Sequence, residues 1–223
     1  MSLPPLLIFD TNVLMNIWLA RDEQSMLLVR LAEQRVVELV IPELVLIEFQ
    51  GTARRWLREQ RALLDKSIAA PVKAWKRSAL LEAATEQLKL GSQAVRAELD
   101  LLPGKIGPLV DELQQAARVE PHTVDLHLRG DLRYLRGDPP DRPVDGIKDC
   151  RIYEAVLDIL RRDAGVDRSR RVYLTQDSDF HGYSDLVREL ASLNCELVSQ
   201  PGPLYSQLRH LPRALGPAGQ TGV

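Results

Sequence analysis

The chain carries four acidic residues whose positions would let their carboxylates converge: Asp10, Glu48, Asp149 and Asp177. Asp10 ends an apolar run, residues 6–9, and Asp177 follows a second run, residues 172–175. Ligands of open parallel sheets bind outside the carboxyl ends of the strands, so acids at two strand ends predict a shared site. Asp also caps helices well, and capping would explain either acid taken alone.

Glu48 and Asp149 are placed by helical periodicity. Glu48 falls on the same helical stripe as Leu44 and Ile47, which we predict to face inward. Asp149 lies three residues before Ile152, on the inward face of another helix and near its N-terminus, where the dipole favours an anion. An inward carboxylate is costly unless it is paired or metal-bound. An arginine partner for Glu48, or capping by Asp149, is the alternative explanation.

A shared site would need a cation. Two carboxylates about 5 Å apart repel by roughly 3 kcal/mol at an effective dielectric near 20, so four bare anions would not remain together. An all-oxygen ligand set selects Mg²⁺ or Mn²⁺ rather than zinc, which prefers histidine and cysteine. The four histidines and two cysteines show no ligand spacing. We therefore predict a site for Mg²⁺ or Mn²⁺.

The elements that must position these acids alternate between strand and helix. Near the start of the chain, an apolar strand at residues 6–9 precedes a helical stretch at 12–34 and a β-branched strand at 36–41. Near its end, the same periodicities predict a helix at 147–163, a strand at 172–175, a helix at 184–194 and a strand at 196–199. This alternation predicts an α/β fold with a doubly wound, mainly parallel sheet.

The middle of the chain has a different character. Residues 42–120 carry many helix formers and almost no strand signal. We predict a single domain over residues 1–211, with residues 52–144 as a mainly helical insertion and residues 212–223 as a flexible tail. Residues 136–146 are rich in Pro, Gly and Asp and form the clearest predicted loop.

Composition excludes several classes of protein. The 223 residues are 45% hydrophobic and 27% charged with a net charge of −2, which is typical of an ordinary globular protein and gives no bulk attraction to nucleic acid. The apolar start is too short for an export signal or a membrane span. Two cysteines give no disulfide framework. We expect a cytoplasmic protein with no membrane association.

Four segments resemble, in order, the motif pattern of PIN domains: LIFDTNVLMN, IPELVLIEFQG, KDCRIYEAVL and LTQDSDF. The resemblance covers about residues 5–51 and 145–200, and the long helical middle is similar to that of the larger bacterial PIN-like proteins. It implies a doubly wound parallel sheet, an acidic cluster that binds one or two Mg²⁺ or Mn²⁺ ions, and hydrolysis of RNA phosphodiester bonds by metal-activated water. The RNA would be single-stranded or structured.

The resemblance also assigns residues. Asp10, Glu48, Asp149 and Asp177 match the four acidic positions of the family. Asp179 is an auxiliary metal ligand on the same pattern, and Asn12 and Thr175 match the polar residues beside the metal.

Substrate contacts would come from local basic patches. Residues 54–77 hold eight basic and two acidic residues, a local charge of +6, and include Trp56 and Trp75. Arginines with aromatic side chains are typical of a phosphate track with base stacking, whereas a solvated helical face with buried tryptophans is the alternative. The predicted RNA contacts are Arg54, Arg55 and Arg58 in this stretch, with Arg133 and Arg136 before the Asp149 helix.

Three functions compete at this stage. The first is an endoribonuclease, with the toxin of a toxin–antitoxin pair as one form; an antitoxin protein and a second copy of the chain would then be partners. The second is a non-catalytic RNA-binding or scaffold protein with the same fold. The third, a phosphatase with an aspartyl nucleophile, would need an acid two residues after Asp10, where Asn12 stands.

Overall fold

A computed structural model describes residues 2–75, 82–140 and 146–212 of the chain. Its strands are β1 (Leu6–Phe9), β2 (Glu38–Pro42), β3 (Ala117–Glu120), β4 (Arg171–Leu174) and β5 (Cys195–Val198). They form one sheet in the order β3-β2-β1-β4-β5, and every neighbouring pair is parallel. The predicted α/β class with a parallel sheet is confirmed.

Helices connect the strands. They are α1 (Thr11–Trp18), α2 (Glu23–Glu33), α3 (Glu43–Trp75), α4 (Glu82–Leu101), α5 (Ile106–Ala116), α6 (Val124–Leu135), α7 (Gly146–Asp163), α8 (Ser178–Gly182), α9 (Ser184–Ser192) and α10 (Pro201–Leu208). Among the helices of the described ranges, none is both long enough and apolar enough to cross a membrane.

The two central strands are apolar because the sheet is covered on both faces. All four residues of β1 and all four of β4 are buried. In the register of the sheet, Ile8 of β1 lies between Val40 of β2 and Tyr173 of β4. A continuous apolar run is what a doubly covered parallel strand requires, and this explains why the sequence identifies β1 and β4 so readily.

The structure refines two expectations about the secondary structure. Residues 42–120 were expected to hold almost no strand, yet β3 pairs with β2 at their end. Its sequence, ARVE, has one β-branched residue and one buried residue, because an edge strand is covered less than a central one. The helical stretch 12–34 is two helices, because the chain turns at Ala20, whose φ is 52°, and Asp22 then caps α2.

The chain divides into two compact units. Residues 1–49 with 111–223 contain the whole sheet, and residues 50–110 contain helices and a 3₁₀ turn at Leu102–Lys105. Within the second unit, Arg61 pairs with Asp100 at 2.6 Å. This helical unit is shorter than the predicted insertion, residues 52–144, of which the portion 111–144 lies in the unit that holds the sheet.

The order of the strands reverses at one place. The chain builds β1, β2 and β3 outward in one direction, then returns to place β4 on the other side of β1 and β5 beyond it. The reversal therefore lies between β1 and β4. In open α/β sheets, the crevice at the carboxyl ends of the two strands at such a reversal is the usual ligand site.

Candidate active site

One hydroxyl joins the ends of the two strands at the reversal. Asp10 follows β1 directly and is 5% exposed. Its backbone N–H donates to Leu174 of β4 at 3.1 Å, which extends the β1–β4 pairing by one residue. The Thr175 hydroxyl donates to Asp10 Oδ2 at 2.7 Å and accepts the backbone N–H of Asp177 at 3.2 Å. A single buried side chain therefore fixes both acids that the sequence placed at strand ends.

The next residue along the chain connects the same point to α3. Thr11 begins α1 and is 7% exposed. Its hydroxyl donates to Glu48 Oε2 at 2.6 Å. Asp10 and Thr11 are adjacent, so one peptide links the end of β4 with the carboxylate of Glu48. The sequence pointed to Asn12 rather than Thr11, but Asn12 is exposed and makes no side-chain hydrogen bond with any described residue.

The inward face of α3 differs from the prediction. Ile47, expected to face inward, is 57% exposed, whereas Val45, Phe49 and Ala53 are buried. Glu48 lies at the border of this face and is half-buried. Its orientation toward the site thus comes from the hydrogen bond with Thr11, and the predicted apolar stripe was wrong.

Asp149 and Asp177 are half-buried. Like Asp10, they lie at the end of the sheet that carries the carboxyl ends of the strands. Asp177 follows β4 by three residues. Asp149 is the fourth residue of α7, which leads into β4 through a short loop. The crossover helix of a parallel unit runs antiparallel to the strand that follows it, so the amino end of α7 lies toward the carboxyl ends of the strands.

The electrostatics of Asp10 are unfavourable. Burial raises the pKa of its carboxyl from 3.8 to about 6; the hydrogen bond from Thr175 opposes this rise, and the like charges of Glu48 and Asp177 add to it. Three of the four predicted acids therefore interact electrostatically. The ionised form of Asp10, which predominates at neutral pH, is held in a site that disfavours it.

The other buried acids of the described chain have cationic partners. Each of the other three is paired with arginine: Asp163 with Arg168 and Arg171, Glu154 with Arg133, and Glu120 with Arg162, at 2.7–2.9 Å. Asp10 is the only buried acid in the described residues that has no cationic partner there. In the part of the chain that the structure describes, arginine neutralises every buried carboxylate except the one at the strand reversal.

The hydroxyl of a buried tyrosine lies beside the acids. Tyr173 of β4 is fully buried, and its hydroxyl has no hydrogen-bond partner within the described residues. Burial raises the pKa of this hydroxyl well above its usual value, and the charges of Asp10, Asp149 and Asp177 add to the rise. Tyr173 is two residues before Thr175, so both side chains lie on one face of the sheet.

Sequence reasoning missed Tyr173 because an aromatic residue inside an apolar strand is indistinguishable from an ordinary core residue. Its ring does pack in the core, edge-on to Phe180 with the ring centroids 5.9 Å apart. The one available signal was its spacing, two residues before the polar Thr175 at the end of β4.

The four acids do not form a compact ligand group. Among the described residues, no three side chains of the Asp, Glu, His or Cys type lie close enough together to hold one ion. The side chain of Asp179, the predicted auxiliary ligand, is outside the described residues. The structure thus brings Asp10, Glu48, Asp149 and Asp177 to one end of the sheet without joining them into one ligand group.

The predicted substrate-binding arginines divide into two kinds. Arg54, Arg55 and Arg58 of α3 are exposed and form no ion pair with the described residues. Arg136 is also exposed. Arg133 is 12% exposed, so little of it is open to a substrate: the sequence could not show that carboxylates 21 and 56 residues away would pair with it.

Arg133 instead stabilises the packing of three elements. Its guanidinium donates to Glu154 at 2.7 Å, to Glu189 at 3.0 Å and to the carbonyl of Pro139 at 2.8 Å. It also lies 4.9 Å from the ring centre of Tyr153. Of the remaining basic stretch, Lys76 and Arg77, like the side chain of Trp75, are outside the described residues.

Comparison with known families agrees with the geometry. The model of the PIN domain family matches residues 7–180, more than half of the chain, and this range includes all four acids. No curated protein and no solved structure gives a significant match. The resemblance found in the four sequence segments is thereby confirmed. The chain belongs to the PIN-domain family.

Proposed function

We propose that this protein is a metal-dependent endoribonuclease whose site is formed by Asp10, Glu48, Asp149 and Asp177. PIN domains are generally nucleases, most of which use divalent metals and act on RNA. The observation that carries the proposal is Asp10, a buried acid that lacks a cationic partner among the described residues and stands at the strand reversal. A buried anion of this kind calls for a bound cation.

The chemical character of these side chains suits a divalent cation. Carboxylates and hydroxyls are hard oxygen donors, which Mg²⁺ and Mn²⁺ prefer, and no described histidine or cysteine interacts with Asp10. The unpartnered Tyr173 hydroxyl supplies a hydrogen-bond donor at the same place. One or two ions would be held by Asp10, Glu48, Asp149 and Asp177, with Asp179 as an auxiliary ligand.

Such an ion would supply activated water and neutralise charge on the attacked phosphate. The residues of the chain would orient the components. Thr175 and Thr11 hold the carboxylates of Asp10 and Glu48 in fixed positions through hydrogen bonds of 2.7 and 2.6 Å. No side chain need act as a covalent nucleophile. Asp149 and Asp177, whose charges also act on Tyr173, would complete the negative site.

We also propose a location and partners for this protein. The protein would be cytoplasmic, and one form of its activity would be that of a toxin controlled by an antitoxin protein. A second copy of the chain is a further candidate partner. Binding of RNA without cleavage would instead support the non-catalytic RNA-binding or scaffold function.

Loss of the Asp10 charge should abolish cleavage. With labelled RNA and Mn²⁺, we expect the Asp10→Asn variant to lose activity by a factor of about 10² or more, because a ligand of the proposed metal is removed. Chelator should have the same effect on the unmodified protein. The matched control is Asp125→Asn, which neutralises an exposed acid on α6. Unchanged cleavage by Asp10→Asn would exclude the proposed site.

The same substitution should stabilise the metal-free protein in a pH-dependent manner. The pKa of Asp10 in the folded chain, about 6, exceeds its ordinary value of 3.8, so ionisation costs about 3 kcal/mol of folding free energy above pH 6. That cost disappears as the pH falls from about 6 toward 4. In chelator, Asp10→Asn should therefore be more stable than the unmodified protein at pH 7.5, and the difference should shrink at pH 4.5.

Urea unfolding of both proteins at the two pH values measures this difference. Equal stability at pH 7.5 would mean that Asp10 is already neutralised by another group, which contradicts the need for a cation.

Removal of the Tyr173 hydroxyl should lower the affinity of the protein for metal without lowering its stability. A buried hydroxyl without a partner costs about 1–3 kcal/mol, so Tyr173→Phe should leave the metal-free protein equally stable or more stable. Its affinity for Mn²⁺ should fall by about tenfold or more if the hydroxyl orients a ligand carboxylate. Calorimetric titration with Mn²⁺ alone measures the affinity.

Tyr153→Phe is the matched control for that experiment. Tyr153 is equally buried, but its hydroxyl donates to the carbonyl of Leu186 at 3.3 Å. This variant should lose a little stability and keep its Mn²⁺ affinity. If both variants bind Mn²⁺ as the unmodified protein does, Tyr173 has no part in the site.

The exposed arginines of α3 should contribute to RNA binding through phosphate contacts. In chelator, replacing Arg54, Arg55 and Arg58 together by alanine should weaken binding of single-stranded RNA. The slope of log K against log salt concentration should also decrease by about 2, at about 0.7 per lost phosphate contact. Arg188→Ala with Arg209→Ala, two exposed arginines elsewhere, is the control. An unchanged slope in the triple variant would assign these arginines to a solvated face.

A further inference from the structure

A shallow cavity of about 380 Å³, widely open to solvent, lies beside the acidic cluster. Gln176, which stands between Thr175 and Asp177 in the chain, forms one wall, and Gln200, two residues after β5, forms another. Asn16 of α1 and Gln24 of α2 complete the polar lining. We call this cavity, defined by Asn16, Gln24, Gln176 and Gln200, the amide pocket. It is adjacent in sequence and in space to the residues that would hold the scissile phosphate.

The chemistry of the amide pocket is neutral and polar. Each of its four side-chain amides carries two N–H donors and one carbonyl oxygen that accepts hydrogen bonds. The two charged residues of the lining, Arg21 and Asp22, have opposite signs, so the pocket has no excess of positive charge for a phosphate. The prolines Pro201 and Pro203 add apolar surface without adding a hydrogen-bond donor. Such a lining matches a flat, uncharged heterocycle with donors and acceptors on its edge.

Part of the pocket is held rigidly. Asn16 Nδ2 donates to Gln176 Oε1 at 2.5 Å, and Gln176 Nε2 donates to Asp22 Oδ2 at 2.7 Å. Asp22 is itself fixed at the start of α2, where it accepts the backbone N–H groups of Gln24 and Ser25. This chain of bonds sets the orientation of both amides. It leaves a second N–H of Gln176 and the carbonyl oxygen of Asn16 for a ligand.

Pre-organised amides are suited to reading a base. A side chain whose orientation is already fixed loses little entropy on binding, and amide side chains pair with the edges of bases through a donor and an acceptor. Sequence-specific recognition of RNA targets unstacked bases in this way. The amides on the outer rim, Gln24 and Gln200, are exposed and can adapt to the base.

We propose that the amide pocket binds one nucleobase of the RNA substrate, next to the phosphate positioned at the acidic cluster. This inference rests on the proposed ribonuclease function. It adds a property that the acids cannot provide: a dependence of cleavage on the identity of a base at a fixed distance from the cut. The recognised group is the base edge and not the sugar–phosphate backbone.

The test compares Gln24→Ala/Gln200→Ala with the unmodified protein. Both glutamines lie on the rim, outside the acidic cluster and outside the Asn16–Gln176–Asp22 chain, so the fold and the acids stay intact. Gln114→Ala/Gln115→Ala, which removes two exposed glutamines of α5, is the matched control. Each protein is incubated with a pool of randomised RNA and Mn²⁺, and the bases flanking every cut are counted.

We expect the unmodified protein to show an uneven base composition at one position beside the cut. The rim variant should reduce that preference by about fivefold for each hydrogen bond lost, and the α5 variant should keep it. An even composition in the unmodified protein, or a preference unchanged in the rim variant, would overturn the inference and leave the nuclease proposal intact.

A binding experiment distinguishes the two proposals. In chelator, binding of oligoadenylate, oligouridylate and oligocytidylate hexamers is measured by fluorescence anisotropy. Base-dependent affinity that the rim variant loses supports the amide pocket even if no RNA is cleaved. Equal affinity for all three hexamers, or an equal loss for all three in the rim variant, would show contact with the backbone and would refute base recognition.

Discussion

The hydrogen bond from Thr175 to Asp10 holds a carboxylate out of water at the point where the order of the strands reverses. The bond joins β4 to β1 and gives Asp10 a neutral partner instead of a cationic one. At Asp163, by contrast, two arginines meet one buried carboxylate. The difference is physical: a paired carboxylate is stable as it stands, whereas the ionised Asp10 keeps an attraction for positive charge. The like charges of Glu48 and Asp177 increase that attraction.

The short helix α1 connects the parts of the site. Asp10 and Thr11, at its amino end, contact the end of β4 and the Glu48 carboxylate, and Asn16, one turn and a half further, contacts Gln176 in the amide pocket. Three functions of the proposed enzyme, namely metal binding, orientation of a ligand and recognition of a base, thus depend on seven consecutive residues. The burial of Val13 and Leu14 fixes the position of this short helix and therefore the positions of the residues that it carries.

The sequence predicted the local features well and the long-range ones poorly. Asp10 and Asp177 were placed by the ends of apolar strands, which is a local signal, and their convergence followed from the geometry of parallel sheets. Glu48 reaches the site, but through Thr11 and not through the predicted stripe. Arg133 shows the limit most clearly, since its carboxylate partners lie far along the chain and decide whether it faces RNA or the core. The edge strand β3 carried too few buried residues to be recognised.

The pairing of β1 with β4 has a consequence for how the chain can vary. Ile8 lies opposite Tyr173 and Phe9 opposite Leu174, and the next step along the ladder brings Asp10 to Thr175. Side chains alternate between the faces of a strand, so deletion of one residue within β4 would exchange those faces. The side chains of Thr175 and Tyr173 would then point to the face of the sheet away from the acids, although every helix could still form. Length changes that preserve function are therefore confined to the loops, and the spacing inside this four-residue strand is as much a part of the site as its side chains.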